Sequence, residues 1–140
     1  MKFWDSSALL PLLVKETSTK RIKEYFEEDD GIAVWWGTET ECLSALARRA
    51  REQSLTPAQQ TEAEELLKEI LSYVTEVNPS LEIKRIARRL LRTHPLRAAD
   101  ALQLAAAMAL AGENISELTV ITLDDRLRAS AQQEGFKTLY

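Results

Sequence analysis

The sequence predicts an α/β protein: a three-layer α/β/α sandwich with a central parallel sheet, in a single domain over residues 1–140. Three observations predict it. Short strand-like runs alternate with segments of helical period from one end to the other, the pattern of parallel strands joined by crossover helices. No repeat, low-complexity tract or linker interrupts the alternation. Finally, from Ala98 to Ala111 only Asp100 and Gln103 are not apolar, so a helix there is covered on nearly every side.

Met1–Trp4 reads as a short buried strand, and Asp5-Ser6-Ser7 supplies an N-cap for a helix over Ala8–Val14. Pro11 is expected within its first turns, where a missing N–H does least harm. Ser18–Glu28 is amphipathic, with Ile22, Tyr25 and Phe26 on one side, and Asp29-Asp30-Gly31 stops it. Ile32–Trp36 is the second strand. The helix from about Glu39 to Arg51 has Leu43, Leu46, Ala47 and Ala50 as its expected packing stripe. Pro57 opens a helix running to about Leu71. Tyr73–Val77 forms a third strand, closed by Asn78-Pro79. In Leu81–Leu91 the helical period places Ile83, Ile86, Ala87, Leu90 and Leu91 inward, and His94-Pro95 breaks it before the apolar helix of Leu96–Ala111. Leu118–Thr122, Asp124–Glu134 and Phe136–Leu139 complete the chain as strand, helix and strand.

Composition narrows the function. At 45% hydrophobic and 29% charged residues, the chain fits a soluble globular protein with a real core. Its longest apolar-rich run is interrupted twice and too short to cross a bilayer, and Lys2 leads straight into a strand rather than a cleavable signal. The expected compartment is the cytoplasm. Cys42 is the only cysteine, which excludes an intramolecular disulfide and a cysteine-rich zinc site. A net charge of −4 means that any polyanion must be met by a local basic surface.

The acids carry the chemistry. In an open parallel sheet, ligand sites lie outside the carboxyl ends of the strands. Asp5 and Asp124 both fall where a strand gives way to a helix, Glu41 lies in the first turn of the helix after the second strand, and Asp100 is near the start of the apolar helix. Four carboxylates converging on one edge repel one another unless a cation lies between them. Hard oxygen ligands without a His or Cys cluster point to Mg²⁺ or Mn²⁺. Each acid also has a plain structural reading. Asp5 and Asp124 serve as N-caps, Glu41 fits a capping box in Thr38-Glu39-Thr40-Glu41, and Asp100 pairs with Arg97 three residues earlier. Periodicity alone does not choose Glu41 over Glu39.

These residues resemble a family. Trp4-Asp5-Ser6-Ser7-Ala8-Leu9, Glu41-Cys42-Leu43-Ser44-Ala45-Leu46-Ala47-Arg48, Leu96-Arg97-Ala98-Ala99-Asp100-Ala101-Leu102-Gln103 and Thr122-Leu123-Asp124-Asp125-Arg126-Leu127 are similar to the four acidic motifs of PIN-domain ribonucleases. The compact size resembles the VapC-type toxins of toxin–antitoxin pairs. The resemblance implies that Asp5, Glu41, Asp100 and Asp124 are the catalytic, metal-holding acids, with Glu41 preferred to Glu39 and Asp124 to Asp125. Gln103 stands where many relatives carry histidine, and Cys42 replaces a more usual aliphatic residue; neither departure removes an acid.

The activity so implied is Mg²⁺- or Mn²⁺-assisted hydrolysis of RNA, leaving a 5′-phosphate and a 3′-hydroxyl. Ser7 and Thr122 are expected to orient carboxylates or water, or to act as helix caps. Arg85, Arg88, Arg89, Arg92 and Arg97, with Lys84, form a stretch free of acids that reads as an RNA-holding face, a solvated helix face or a docking site for an antitoxin. Trp35 and Trp36 read as core or as base-stacking groups, and His94 as a turn or cap residue. A VapB-like antitoxin and a homodimer are implied by the family alone. The competing functions are a non-catalytic PIN-like scaffold, disfavoured because all four acids are present, and an aspartate-dependent phosphatase, disfavoured because Ser7 occupies the place of its second Asp.

Overall fold

Side chains along the strands alternate between two separate cores, and that alternation defines the layers. The computed structural model describes residues 1–140. Strands β1 (Lys2–Trp4), β2 (Ile32–Trp35), β3 (Thr75–Val77), β4 (Thr119–Ile121) and β5 (Lys137–Leu139) form one sheet in the order β3-β2-β1-β4-β5. Every neighbouring pair is parallel, with Lys2 opposite Ile32 on one side and Thr119 on the other. On one face Trp4, Ile32, Val34 and Ile121 pack with α1 (Ser6–Leu13), α2 (Thr19–Glu28), α3 (Thr38–Arg51) and α4 (Pro57–Leu71). On the other, Phe3, Ala33, Trp35 and Val120 pack with α5 (Leu81–Thr93), α6 (Ala98–Ala111) and α7 (Asp125–Gln133). The expected α/β/α sandwich is present. No helix is long and apolar enough to cross a membrane.

Local chemistry sets the helix ends. Thr56 and Gln59 form a reciprocal capping box at the start of α4, with Pro57 in its first turn. Ser80 caps α5 by accepting from the Ile83 N–H. At the far end of α5, His94 is its C-terminal cap, and its Nε2 meets Glu134 Oε2 at 2.7 Å. Arg89 pairs with the same carboxylate, so Glu134 fastens α5 to the end of α7. The Arg89 hydrogen bond holds the Glu134 carboxyl below its ordinary pKa.

Several local expectations are corrected. Pro11 is the sixth residue of α1 and buried, past the turn where its missing N–H is free of cost. The buried residues of α3 are Thr38, Cys42, Ala45 and Leu46, so the helix is rotated from the stripe of Leu43, Leu46, Ala47 and Ala50. Small apolar residues occupy more than one face of that helix, and the direction from which β2 delivers it decides which is covered. Leu91 is 47% exposed, at the edge of the α5 stripe rather than inside it. The apolar helix begins at Ala98, with Arg97 as N-cap, two residues after the expected Leu96.

One topological feature positions the site. From β1 the chain builds outward through β2 and β3, then returns to β1's other side for β4 and β5. The order reverses between β1 and β4, and a crevice at the carboxyl ends is expected there. Asp5 follows β1, and Asp124 comes three residues after the end of β4.

Candidate active site

Asp5, Glu41, Asp100 and Asp124 line one cleft of about 740 Å³ at this edge of the sheet. Asp5 is placed by its backbone, whose N–H donates to the Ile121 carbonyl at 3.0 Å, and by burial at 3% exposure. Its Oδ2 accepts from the Ser7 backbone, the Ser7 hydroxyl and, at 2.9 Å, the Thr122 hydroxyl. Ser7 Oγ in turn accepts from the Leu123 N–H, and Thr122 Oγ1 from the Asp124 N–H. These two hydroxyls therefore tie the first acid to the loop that carries the fourth. Oδ1 has only a long 3.5 Å contact from Ser6, which leaves it the oxygen with lone pairs to spare.

Capping a helix and lining the cleft are compatible for the two aspartates. Asp5 caps α1, and Asp124 Oδ1 accepts from the Leu127 N–H to cap α7, while both line the cleft. Asp125 has an exposed side chain paired with Arg128. Glu41 is no capping-box acid: Thr38 is already helical and makes no cap bond. Its Oε1 accepts from the Ser6 hydroxyl at 3.2 Å and its Oε2 from Gln103 Nε2 at 2.9 Å. Gln103, 1% exposed, also donates to Thr38 Oγ1, and its own Oε1 finds no protein donor. Asp100 is half-buried in the first turn of α6 rather than sunk in the core, and Arg97 does not approach it closely enough for an ion pair.

The electrostatics are those of crowded acids. Burial first raises the Asp5 pKa, against the lowering pull of its hydrogen bonds to Ser7 and Thr122. Burial and the charge of Asp5 push Glu41 up to about 7. Asp100 is raised by burial and by Asp124 and Asp5, with Arg97 and Arg126 opposing. Burial pushes the Cys42 thiol up to about 12, and its Sγ–H points to the Ser6 carbonyl, so it takes no part as a thiolate. While the neutral Gln103 Oε1 lies buried behind Glu41 without a protein donor, the cleft thus offers carboxylate oxygens of like charge, including an under-used Asp5 Oδ1. Side chains of this kind fit a hard divalent cation. As they stand, no three acids close tightly on one point, as mutual repulsion requires.

A family model described as the PIN domain matches residues 2–132. The chain belongs to the PIN-domain family. Two proteins of Mycobacterium tuberculosis, ribonuclease VapC45 and ribonuclease VapC49, are each similar to this PIN domain at 29% identity over 133 residues, covering 95% of this chain and 90% of theirs. A solved toxin–antitoxin complex from Klebsiella pneumoniae contains a chain with the same fold, at a TM-score of 0.67 and 20% identity, covering 92% of this chain and 91% of that one.

The basic residues of the PIN domain divide by position. Arg97 lines a concavity that shares Asp100 and Asp124 with the main cleft, together with Arg126, while Arg48 lines the main cleft itself. Arg85, Arg88 and Arg92 lie exposed on α5 outside the lining of both, and Arg89 is held by Glu134. Arg48, Arg126, Ser6 and Thr38 were not singled out from sequence. Arg48 follows Glu41 by two helical turns and so shares its face, a signal present in the sequence. Ser6 and Thr38 matter through partners 35 and 65 residues away, for which the sequence carries no local sign. Trp35 is buried in the core and borders the cleft from beneath, and Trp36 is at the cleft, 54% exposed.

Proposed function

We propose that this PIN domain is a Mg²⁺- or Mn²⁺-dependent endoribonuclease, the toxin of a VapBC-type pair. It would be restrained by a VapB-like antitoxin, assemble as a homodimer and act on RNA in the cytoplasm. The observation that carries the reading is the convergence of Asp5, Glu41, Asp100 and Asp124 on one cleft, three of them with raised affinity for protons. Sites that bind a proton too tightly for a carboxylate are sites where positive charge is wanted. The ribonuclease names of the Mycobacterium relatives and the toxin–antitoxin complex from Klebsiella support the choice of substrate and partner.

Asp5 and Asp100 would hold the ion, with Glu41 and Asp124 completing its surroundings. When bound, the ion supplies charge neutralisation and Lewis acidity for attack of water on a phosphodiester phosphorus. Ser7 and Thr122 keep Asp5 Oδ2 occupied and so direct Oδ1 to the ion. Gln103 holds Glu41 by one oxygen, placing that carboxylate at the cleft to orient or deprotonate the attacking water. Arg97 and Arg126 flank the acids and would take phosphates on either side of the cut.

Asp5→Asn and Asp100→Asn test the reading. Asn caps a helix as well as Asp does, and Asp100 is only half-buried, so both variants should fold. Cleavage of a single-stranded oligoribonucleotide in Mg²⁺ should fall by more than about a hundredfold in each, with 5′-phosphate ends from the unaltered protein. Undiminished Mg²⁺-dependent cleavage by Asp100→Asn overturns it.

A further inference from the structure

We propose that Trp36 is a stacking platform for one base of a single-stranded RNA, beside the carboxylates that act on its backbone. The inference deepens the ribonuclease reading and rests on it for the identity of the ligand. Trp35 and Trp36 both line the acidic cleft, but Trp4 and Trp35 are only 0% and 6% exposed, whereas Trp36 is 54% exposed. An indole left half in water gains little from its apolar surface until something covers it.

Trp36 is held rather than hanging. Its backbone N–H donates to the Val77 carbonyl at 3.0 Å, extending the β2–β3 pairing one residue beyond the strand. The Trp35 ring meets it edge-on, with centroids 6.3 Å apart and planes at 69°. Gly37 makes that brace possible, since a Cβ there would lie 2.5 Å from Trp35 Nε1. A ring fixed in this way binds a base without first being ordered.

Charge explains why an uncharged group is useful here. The acids repel RNA phosphates, and stacking adds affinity that this repulsion does not cancel. Arg48, on the Glu41 face of α3 and in the same cleft, supplies a phosphate contact nearby. A base lying on an indole has left its own duplex, so single strands are preferred. Leu10, Ala45 and Leu102 also line the cleft, but the four acids and Arg48 are interspersed with them. The ring therefore faces a mixed surface suited to a base with its phosphates rather than the contiguous apolar patch that a protein partner covers.

Binding of a single-stranded oligoribonucleotide of mixed sequence is measured in EDTA, and cleavage kinetics in Mg²⁺, for the unaltered chain, Trp36→Ala and Trp36→Phe. Because the other two indoles are buried, acrylamide-accessible emission reports Trp36. RNA is expected to shield that emission, and a duplex of the same sequence is not. Trp36→Ala should weaken binding about tenfold, with the loss in KM rather than kcat, and Trp36→Phe should restore most of it. Binding by Trp36→Ala equal to that of the unaltered chain overturns the proposal. So does shielding that grows with protein concentration in the absence of RNA, which would make the indole a protein contact. Failure of the unaltered chain to cleave any RNA, with shielding by RNA intact, removes the ribonuclease reading and leaves the stacking site; loss of both removes both.

Discussion

Glu41 is held through both of its oxygens, by the Ser6 hydroxyl at the start of α1 and by the Gln103 amide of α6. Its distance from the second strand, and the resemblance of Cys42 to Arg48 behind it to a known motif, placed it among the acids. What its two oxygens do depends on Ser6 and Gln103, 35 and 62 residues away, and no local pattern encodes such partners. Asp5 and Asp124 were legible as caps and as candidate site acids, because a strand-to-helix junction at a carboxyl edge puts a capping Asp at the cleft. The raised pKa values of Asp5, Glu41 and Asp100 carry a consequence for stability. Their ordinary values are 3.8, 4.5 and 3.8. A group whose pKa is raised by folding contributes stability fully below its unfolded pKa, and loses it as pH rises through the folded one. For Glu41 that window runs from 4.5 to about 7. Glu134, lowered by Arg89, acts only below the ordinary glutamate range and does not offset the trend. In EDTA, the melting temperature should therefore fall between about pH 5 and pH 8, and millimolar Mg²⁺ should recover much of the loss at the upper end. A melting temperature that climbs steadily over that range in EDTA would refute this account of the acids.

Among the elements, every strand and α-helix was legible in kind, because two periods, 2 and 3.6, dominate the apolar pattern. The single 3-10 turn of Ile115–Glu117 is too short to show a period. Faces were harder where small residues dilute the pattern: α3 buries Cys42 and Ala45, and neither stood out beside Leu43 and Ala47. The apolar helix α6 was the clearest element, and the structure gives its alanines a use. Ala101, Ala105, Ala106 and Ala107 are fully buried among Phe3, Ala33 and α5, so short side chains let α6 lie close against the sheet and bring Asp100 to the cleft. Extra methylenes there force the helix outward. Ala105→Leu should cost about 1–3 kcal/mol, a fall in melting temperature of several degrees, whereas Ala109→Leu, on the partly exposed side, should cost much less. Differential scanning calorimetry of the two variants distinguishes a close-packed face from a permissive one. Equal melting temperatures would mean that the alanines are not needed for contact.

The whole molecule is an anion that would have to hold a polyanion, and its charge distribution is the point at which the sequence and the structure complement each other. Strand order was not legible: the alternation implies parallel strands but not that β1 is central, since order is set by which crossovers bury the most surface. With the order known, the acids face one edge, and Arg48, Arg97 and Arg126 are the cations placed beside them. That leaves the exposed arginines of α5, which the sequence made conspicuous and the cleft does not use. Arg92 lies five residues before Arg97, so the α5 face can continue a path for RNA beyond the cleft, whereas Arg89 already has Glu134 as its partner. Each phosphate neutralised on a single strand contributes a slope of about −0.7 to log Kobs against log salt. Replacing Arg85, Arg88 and Arg92 together by Gln should therefore weaken binding of a long single-stranded RNA uniformly across sequences and flatten that slope by about 1 to 2. Arg89→Gln should leave the slope where it was, because its charge is spent within the fold. If the triple substitution leaves the slope unchanged as well, the α5 face is simply solvated, and the three arginines at the cleft hold the RNA alone.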